Sequence, residues 1–141
     1  MAAETIVLRA EQYARIIEHA WAGLPGEVVG LLGGTAGCVR IVMPLPNVMA
    51  SRAFLADPFA QFHAERELLR SNLQLIGIYH SHPGGGAQLS PCDLVFARTR
   101  SCVHIVVALD RPHQAGEEVR AFRIVQGCIT EVSIRILRDR P

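Results

Sequence analysis

The chain has no lysine: the fourteen residues of its Lys-plus-Arg count are all arginine. That absence excludes lysine nucleophiles and Schiff-base chemistry from any mechanism. Charge of either sign is in short supply as a field, since thirteen acidic residues nearly cancel the arginines. A net charge of +1 predicts no attraction to nucleic acid or to an anionic membrane. No apolar run nears the roughly 18–20 residues needed to cross a bilayer. The start, Met1-Ala2-Ala3-Glu4, lacks the basic residues and apolar stretch of a signal peptide, so a cytoplasmic location is expected. Cysteines number four and form no CxxC pair. Cys38, Cys102 and Cys128 sit in apolar, strand-like surroundings and read as small buried hydrophobes in a reducing compartment.

Repeats, low-complexity tracts and linkers are also missing, which leaves one domain over residues 1–141. Half the residues are hydrophobic and 19% are charged, the profile of a chain that buries a core without disulfide or metal staples. Thr5–Arg9 predicts a strand. Ala10–Gly23 predicts an amphipathic helix, with Tyr13, Ile16, Ile17 and Ala20 at helical spacing. Glu27–Leu32 reads as a strand closed by Gly33-Gly34, and a turn at Thr35–Gly37 leads into Cys38–Met43, making a hairpin. Pro44 and Pro46 end that strand, and a short extended stretch follows near Ala53–Ala56. Asp57-Pro58 opens a second helix with a cap and a first-turn proline. It should run to about Asn72, with Phe59, Phe62, Leu68 and Leu69 on or near its apolar face. Leu75–His80 is a strand of the fully buried kind, Pro83–Leu89 a loop with three glycines, and Ser90–Thr99 a short helix. Strands Val103–Leu109, Val119–Val125 and Cys128–Ile136 close the chain. The sum is an α/β fold, a single mixed β-sheet flanked by helices.

Chemistry concentrates after the buried strand. Side chains two apart in a strand face the same side, so His80 and His82 can aim two imidazoles at one point. Zinc takes imidazole nitrogens and carboxylate oxygens at about 2.0–2.2 Å, and catalytic zinc uses three protein ligands plus a water. Asp93, eleven residues after His82, stands in the first turn of the next helix and can fold back over the strand end. Each part also has an ordinary explanation. A His-x-His pair arises by chance, and Ser90-Pro91-Cys92-Asp93 is a sound helix start with a Ser cap, Pro and an acid.

The joint spacing is what distinguishes the segment: His-Ser-His, seven residues, Ser, two residues, Asp. It resembles the signature of the JAMM (MPN+) zinc metallopeptidase family and matches it without a gap. The resemblance implies an MPN/JAB, cytidine-deaminase-like architecture with one Zn²⁺ per chain held by His80, His82 and Asp93. It implies a further glutamate on an earlier strand, and Glu27 stands suitably in Pro25-Gly26-Glu27-Val28-Val29-Gly30. Phe54-Leu55-Ala56-Asp57 and Ile76-Gly77-Ile78-Tyr79-His80-Ser81-His82-Pro83 look closest to the small bacterial members. Those act on ubiquitin-like sulfur-carrier proteins with a Gly-Gly tail, which would be the partner and substrate here.

On that footing Glu27 is the expected general base, a carboxylate at the head of an apolar strand where burial pushes its pKa up. Ser90 is the expected donor to the developing oxyanion, a role that competes with helix capping. Gly84-Gly85-Gly86 is a turn beside the metal, either a plain loop or a substrate flap. Cys92 has no required role. His104 reads as a satisfied strand histidine, His63 and His113 as solvated, and His19 shows no partner. A zinc deaminase needs His-x-Glu followed by Pro-Cys-x-x-Cys, and both halves fail here. A two-His-one-carboxylate iron oxygenase fits in ligand type but has no recognisable cosubstrate site. A non-catalytic interaction scaffold is the rival from another class. It is disfavoured because every catalytic position is intact.

Overall fold

The computed structural model describes residues 4–49, 54–91, 93–94, 101–109 and 116–138. Seven strands and two helices follow one another in these segments: β1 (Thr5–Arg9), α1 (Ala10–Ala22), β2 (Val29–Thr35), β3 (Cys38–Leu45), α2 (Pro58–Arg70), β4 (Gln74–His82), β5 (Val103–Leu109), β6 (Glu117–Val125) and β7 (Cys128–Leu137). The strands run in the order β1-β3-β2-β4-β5-β6-β7 and close into a barrel. Closure comes from β1, which pairs in parallel with β7 over its whole length and touches β3 at Val7 and Cys38 alone. This is the mixed sheet expected from sequence, with the added feature that its two ends meet.

Local sequence explains the elements. The β2–β3 and β6–β7 hairpins turn through Ala36-Gly37 and Gln126-Gly127, each pair with positive φ at both residues. That is the type I′ geometry whose twist matches paired strands. The Asp57 carboxylate accepts from the Phe59 and Ala60 N–H groups and Pro58 occupies the first turn, so α2 starts where expected. β5 is buried along its entire length, as a strand covered on both faces must be. On one side α1 lays Ile16 and Ala20 onto Leu32, Tyr79, Ile105 and Val107. On the other, Ala64 of α2 joins Val29, Leu31, Leu45 and Ile78.

Several expectations need correction. β2 starts at Val29 and continues through Gly33 and Gly34 to Thr35, with a bulge between the glycines. They lie inside the strand because a Cβ on Gly33 would strike Leu68 and one on Gly34 the Cys38 carbonyl. β3 passes through Pro44 to Leu45. Its outer edge pairs with β1 at Cys38 alone, and an edge tolerates a missing N–H. α2 ends at Arg70 and buries Ala64 and Leu68, while Phe59, Phe62 and Leu69 face solvent, Phe59 at 78% exposure. Cys128 is exposed and Cys38 half-buried, so only Cys102 is the buried hydrophobe expected. Cys92, His113 and most of the Ser90–Thr99 helix lie outside the described residues. Among the described residues no helix is long and apolar enough to cross a membrane.

Candidate active site

The end of β4 is clamped between antiparallel β2 and parallel β5, with His80 opposite Val29 and His82 opposite Ala108. Strand alternation puts Tyr79 against α1 and Ile78 toward the α2 side, so His80 and His82 emerge on the α2 side. His80 is buried under the ring of Phe54, stacked at 4.2 Å between centroids and 21° between planes. A helical turn follows the glycine loop, with Leu94 N–H donating to the Ser90 carbonyl. Its start is a reciprocal cap: the Asp93 N–H donates to Ser90 Oγ at 3.1 Å and the Ser90 N–H to Asp93 Oδ2 at 2.8 Å. The cap aims the carboxylate back over the strand end.

Three atoms therefore converge. Asp93 Oδ2 lies 3.0 Å from His80 Nε2 and 3.0 Å from His82 Nε2, and the two nitrogens are 3.2 Å apart. A tetrahedral ion with bonds of about 2.0–2.1 Å spaces its ligand atoms about 3.3 Å apart, so the triangle has the size of one face of such a site. Hydrogen bonding points the same way. His82 Nδ1 lies 2.9 Å from the Gly86 carbonyl, an acceptor, so Nδ1 carries a proton and Nε2 of the neutral ring presents a lone pair. That lone pair faces a carboxylate oxygen, and only a proton or a cation between them makes the contact favourable.

The ionisation behaviour agrees. Burial and the Asp93 contact pull His82 in opposite directions, and Asp93 with the Gly86 carbonyl raises its pKa overall. In His80 burial dominates and lowers it. Burial works against ionisation of Asp93, but hydrogen bonds from His80 and His82 hold its pKa far below the carboxylate range. Glu27 joins from the segment leading into β2: its carboxylate and the His80 and His82 nitrogens lie within 4.8 Å of one another. Burial raises its pKa, with His82 opposing and Asp93 reinforcing. Among the described residues, the buried Glu27 Oε2 has no hydrogen-bond partner. An orphaned buried oxygen beside two imidazoles calls for a polar ligand or water.

Every sequence-predicted site residue, Glu27, His80, His82, Ser90 and Asp93, is thus brought to one place. The glycine loop is tied on the C-terminal side of its tip. His82 holds Gly86, and Ala87 is fully buried with its N–H on Glu118 Oε1 at 3.1 Å. Among the described residues, nothing lies within 4 Å of where a side chain would start on Gly84 or Gly85. His104 is buried beside Cys102, and His63 is exposed. His19, which showed no partner in sequence, has its Nδ1 2.8 Å from the Tyr79 hydroxyl. Sequence reasoning also missed Asn47, Ser81 and Glu118 as supports, because a lone polar residue at a strand end carries no periodic signal.

Fold and site together define a JAMM-type peptidase. The model of the family of prokaryotic homologs of the JAB domain matches residues 9–125, and the chain belongs to that family. It is 41% identical over 115 residues to the "Probable TtuB-protein conjugate cleaving protease" of Thermus thermophilus, covering 80% of this chain and 70% of that one. It is 28% identical over 137 residues to the CysO-cysteine peptidase of Mycobacterium tuberculosis, covering 95% and 92%. Among solved structures, a protein from Desulfitobacterium hafniense superposes with a TM-score of 0.84 at 28% identity, covering 95% of this chain and 94% of that one. A JAB1/MPN domain protein from Archaeoglobus fulgidus shares the fold, with a TM-score of 0.59 at 20% identity and coverage of 92% and 98%.

Proposed function

We propose that this chain is a zinc-dependent hydrolase, a single domain that works in the cytoplasm. It cleaves a peptide or isopeptide bond at the C-terminal Gly-Gly tail of a ubiquitin-like sulfur-carrier protein. The observation that carries the reading is the meeting of His80 Nε2, His82 Nε2 and Asp93 Oδ2 beside the orphaned Glu27 Oε2. The thiols of Cys38 and Cys128 suit a reducing compartment. The substrate class draws on the relatives named for cleaving TtuB–protein conjugates and CysO–cysteine. A diglycine tail has no side chains and threads a narrow cleft in extended form.

His80, His82 and Asp93 would hold the ion, two neutral nitrogens and one carboxylate being a donor set zinc accepts. Zinc bound there supplies a Lewis acid for the scissile carbonyl and a water acidified toward a pKa of about 7. Glu27 takes the proton of the attacking water and passes it to the leaving amine. Its buried, raised-pKa carboxyl suits both halves of that transfer. Ser90, whose oxygen accepts from Asp93 N–H, keeps its hydroxyl proton for the developing oxyanion. The Gly86 carbonyl fixes the tautomer of His82.

Protein purified without chelators should contain about one equivalent of zinc. It should release cysteine from CysO–cysteine or free a lysine conjugate of TtuB, read by intact mass. Glu27→Gln should keep the metal and lower turnover by about 10²–10⁴. Zinc well below one equivalent, or full activity of Glu27→Gln, would overturn the reading.

A further inference from the structure

Glu27 begins just ahead of β2, where the regular β2–β4 ladder has ended, yet its carboxyl must meet two imidazoles. Two residues outside the reacting group hold the Glu27-Val28 backbone. From β4, fully buried Ser81 donates its N–H to the Val28 carbonyl at 3.1 Å and accepts the Val28 N–H on its hydroxyl at 2.8 Å. From the far side, Asn47 Nδ2 donates to the Glu27 carbonyl at 2.8 Å.

Asn47 does more than close a turn. Its Oδ1 accepts from Leu55 N–H at 2.8 Å and from Met49 N–H at 3.0 Å. The neighbouring backbone adds an Asn47–Ala56 bridge, with Val48 N–H on the Leu55 carbonyl. The amide orientation is unambiguous, since two N–H donors face one end and a carbonyl faces the other. The segment it pins delivers Phe54 onto His80. One side chain therefore joins the backbone of Glu27 to the strap that covers a metal-binding imidazole.

We propose that Asn47 is a positioning residue that acts through Glu27, its Nδ2–H holding the Glu27 carbonyl so that the carboxyl meets the attacking water. The inference rests on Glu27 being the base. A base displaced by about an ångström loses up to about 10²-fold in rate while the ion and the substrate tail stay in place.

Asn47→Asp removes the donor and sets a second acceptor against the Glu27 carbonyl, while it retains an oxygen for the Leu55 and Met49 N–H groups; Asn47→Ser removes the donor without adding charge. With zinc-loaded protein and CysO–cysteine or a TtuB–lysine conjugate as probe, kcat should fall about tenfold or more. KM and the zinc affinity, measured by chelator competition, should stay within about threefold. In the Glu27→Gln background the same change should alter the residual kcat by less than about twofold, because the group it positions has gone. Should Asn47→Asp melt early, Asn47→Ser keeps an acceptor near Leu55 and is too short to reach Glu27, so the same result is expected of it. Unchanged kcat in these variants overturns the proposal, as does an equal loss in the Glu27→Gln background or a loss confined to KM or zinc affinity. An inactive Glu27→Gln beside an active Asn47→Asp sinks the brace alone. A fully active Glu27→Gln sinks the base, and the brace with it.

Discussion

At the scale of one residue, Ser90 separates two jobs that sequence left entangled. Its hydroxyl oxygen caps the turn through Asp93 N–H while its backbone N–H holds Asp93 Oδ2. Replacing it by alanine removes the first bond and leaves the second. Ser90→Ala should therefore cost about 1 kcal/mol of stability and keep zinc binding nearly intact. If its proton also serves the oxyanion, kcat should fall about 10²–10³-fold, far beyond what the stability loss explains. Ser90→Thr retains the hydroxyl and should restore most of both. Calorimetric melting and single-turnover kinetics on the same preparations give the comparison. A rate that follows only the folded fraction would leave Ser90 with the cap alone.

At the scale of elements, the tightest packing lies where β2 pairs with β4 beneath α1. Gly30 faces Tyr79 across the ladder, and a Cβ there would come within 2.3–2.4 Å of the phenol ring. Tyr79 has no room to yield: it is fully buried, with its hydroxyl 2.8 Å from His19 Nδ1. Gly30→Ala should cost about 1–3 kcal/mol by overpacking, whereas Tyr79→Phe, which only deletes the hydroxyl, should cost about 1 kcal/mol. Denaturant melts of both variants test this, and equal losses would mean the ring is freer than its packing implies. Such close approaches explain what sequence showed of these elements. β5 was legible end to end because a run buried on both faces is apolar throughout. The glycines of β2 read as a strand end because a residue excluded by its neighbours looks in sequence like one selected for a turn. On α2 the sequence put Phe59, Phe62, Leu68 and Leu69 on the apolar face, whereas the helix buries Ala64 and Leu68 and half-buries Ala60. Hydrophobicity favours the aromatics, but the sheet leaves room only for the smaller set.

At the scale of the molecule, distance along the chain decided what could be read. His80, His82, Ser90 and Asp93 fall within fourteen residues and form one recognisable spacing. Glu27, more than fifty residues earlier, was reachable only through the family resemblance. The pairing of β1 with β7 and the Asn47 tether are set by the whole fold and leave no local mark. The completed site also couples stability, metal and pH. In the metal-free protein the raised pKa of His82 adds stability below its unfolded value of about 6.5, and that stability is lost as pH rises through the folded value. The depressed pKa of Asp93 adds stability above about 3.9, lost as pH falls through its folded value. The two windows overlap in mildly acidic solution, where the metal-free protein should be most stable with respect to this pair. Zinc held there would reverse the upper limb, because it needs the lone pair that the His82 proton occupies. His80, kept neutral by burial, adds no second proton. The logarithm of the apparent zinc affinity should therefore climb by about one per pH unit below the folded pKa of His82 and flatten above it. The gap in Tm between zinc-loaded and chelator-treated protein should widen over the same range. Chelator competition and scanning calorimetry from about pH 5.5 to 8 would resolve it. A slope near two would show His80 also charged in the metal-free state, and a flat profile would mean these histidines do not hold the ion.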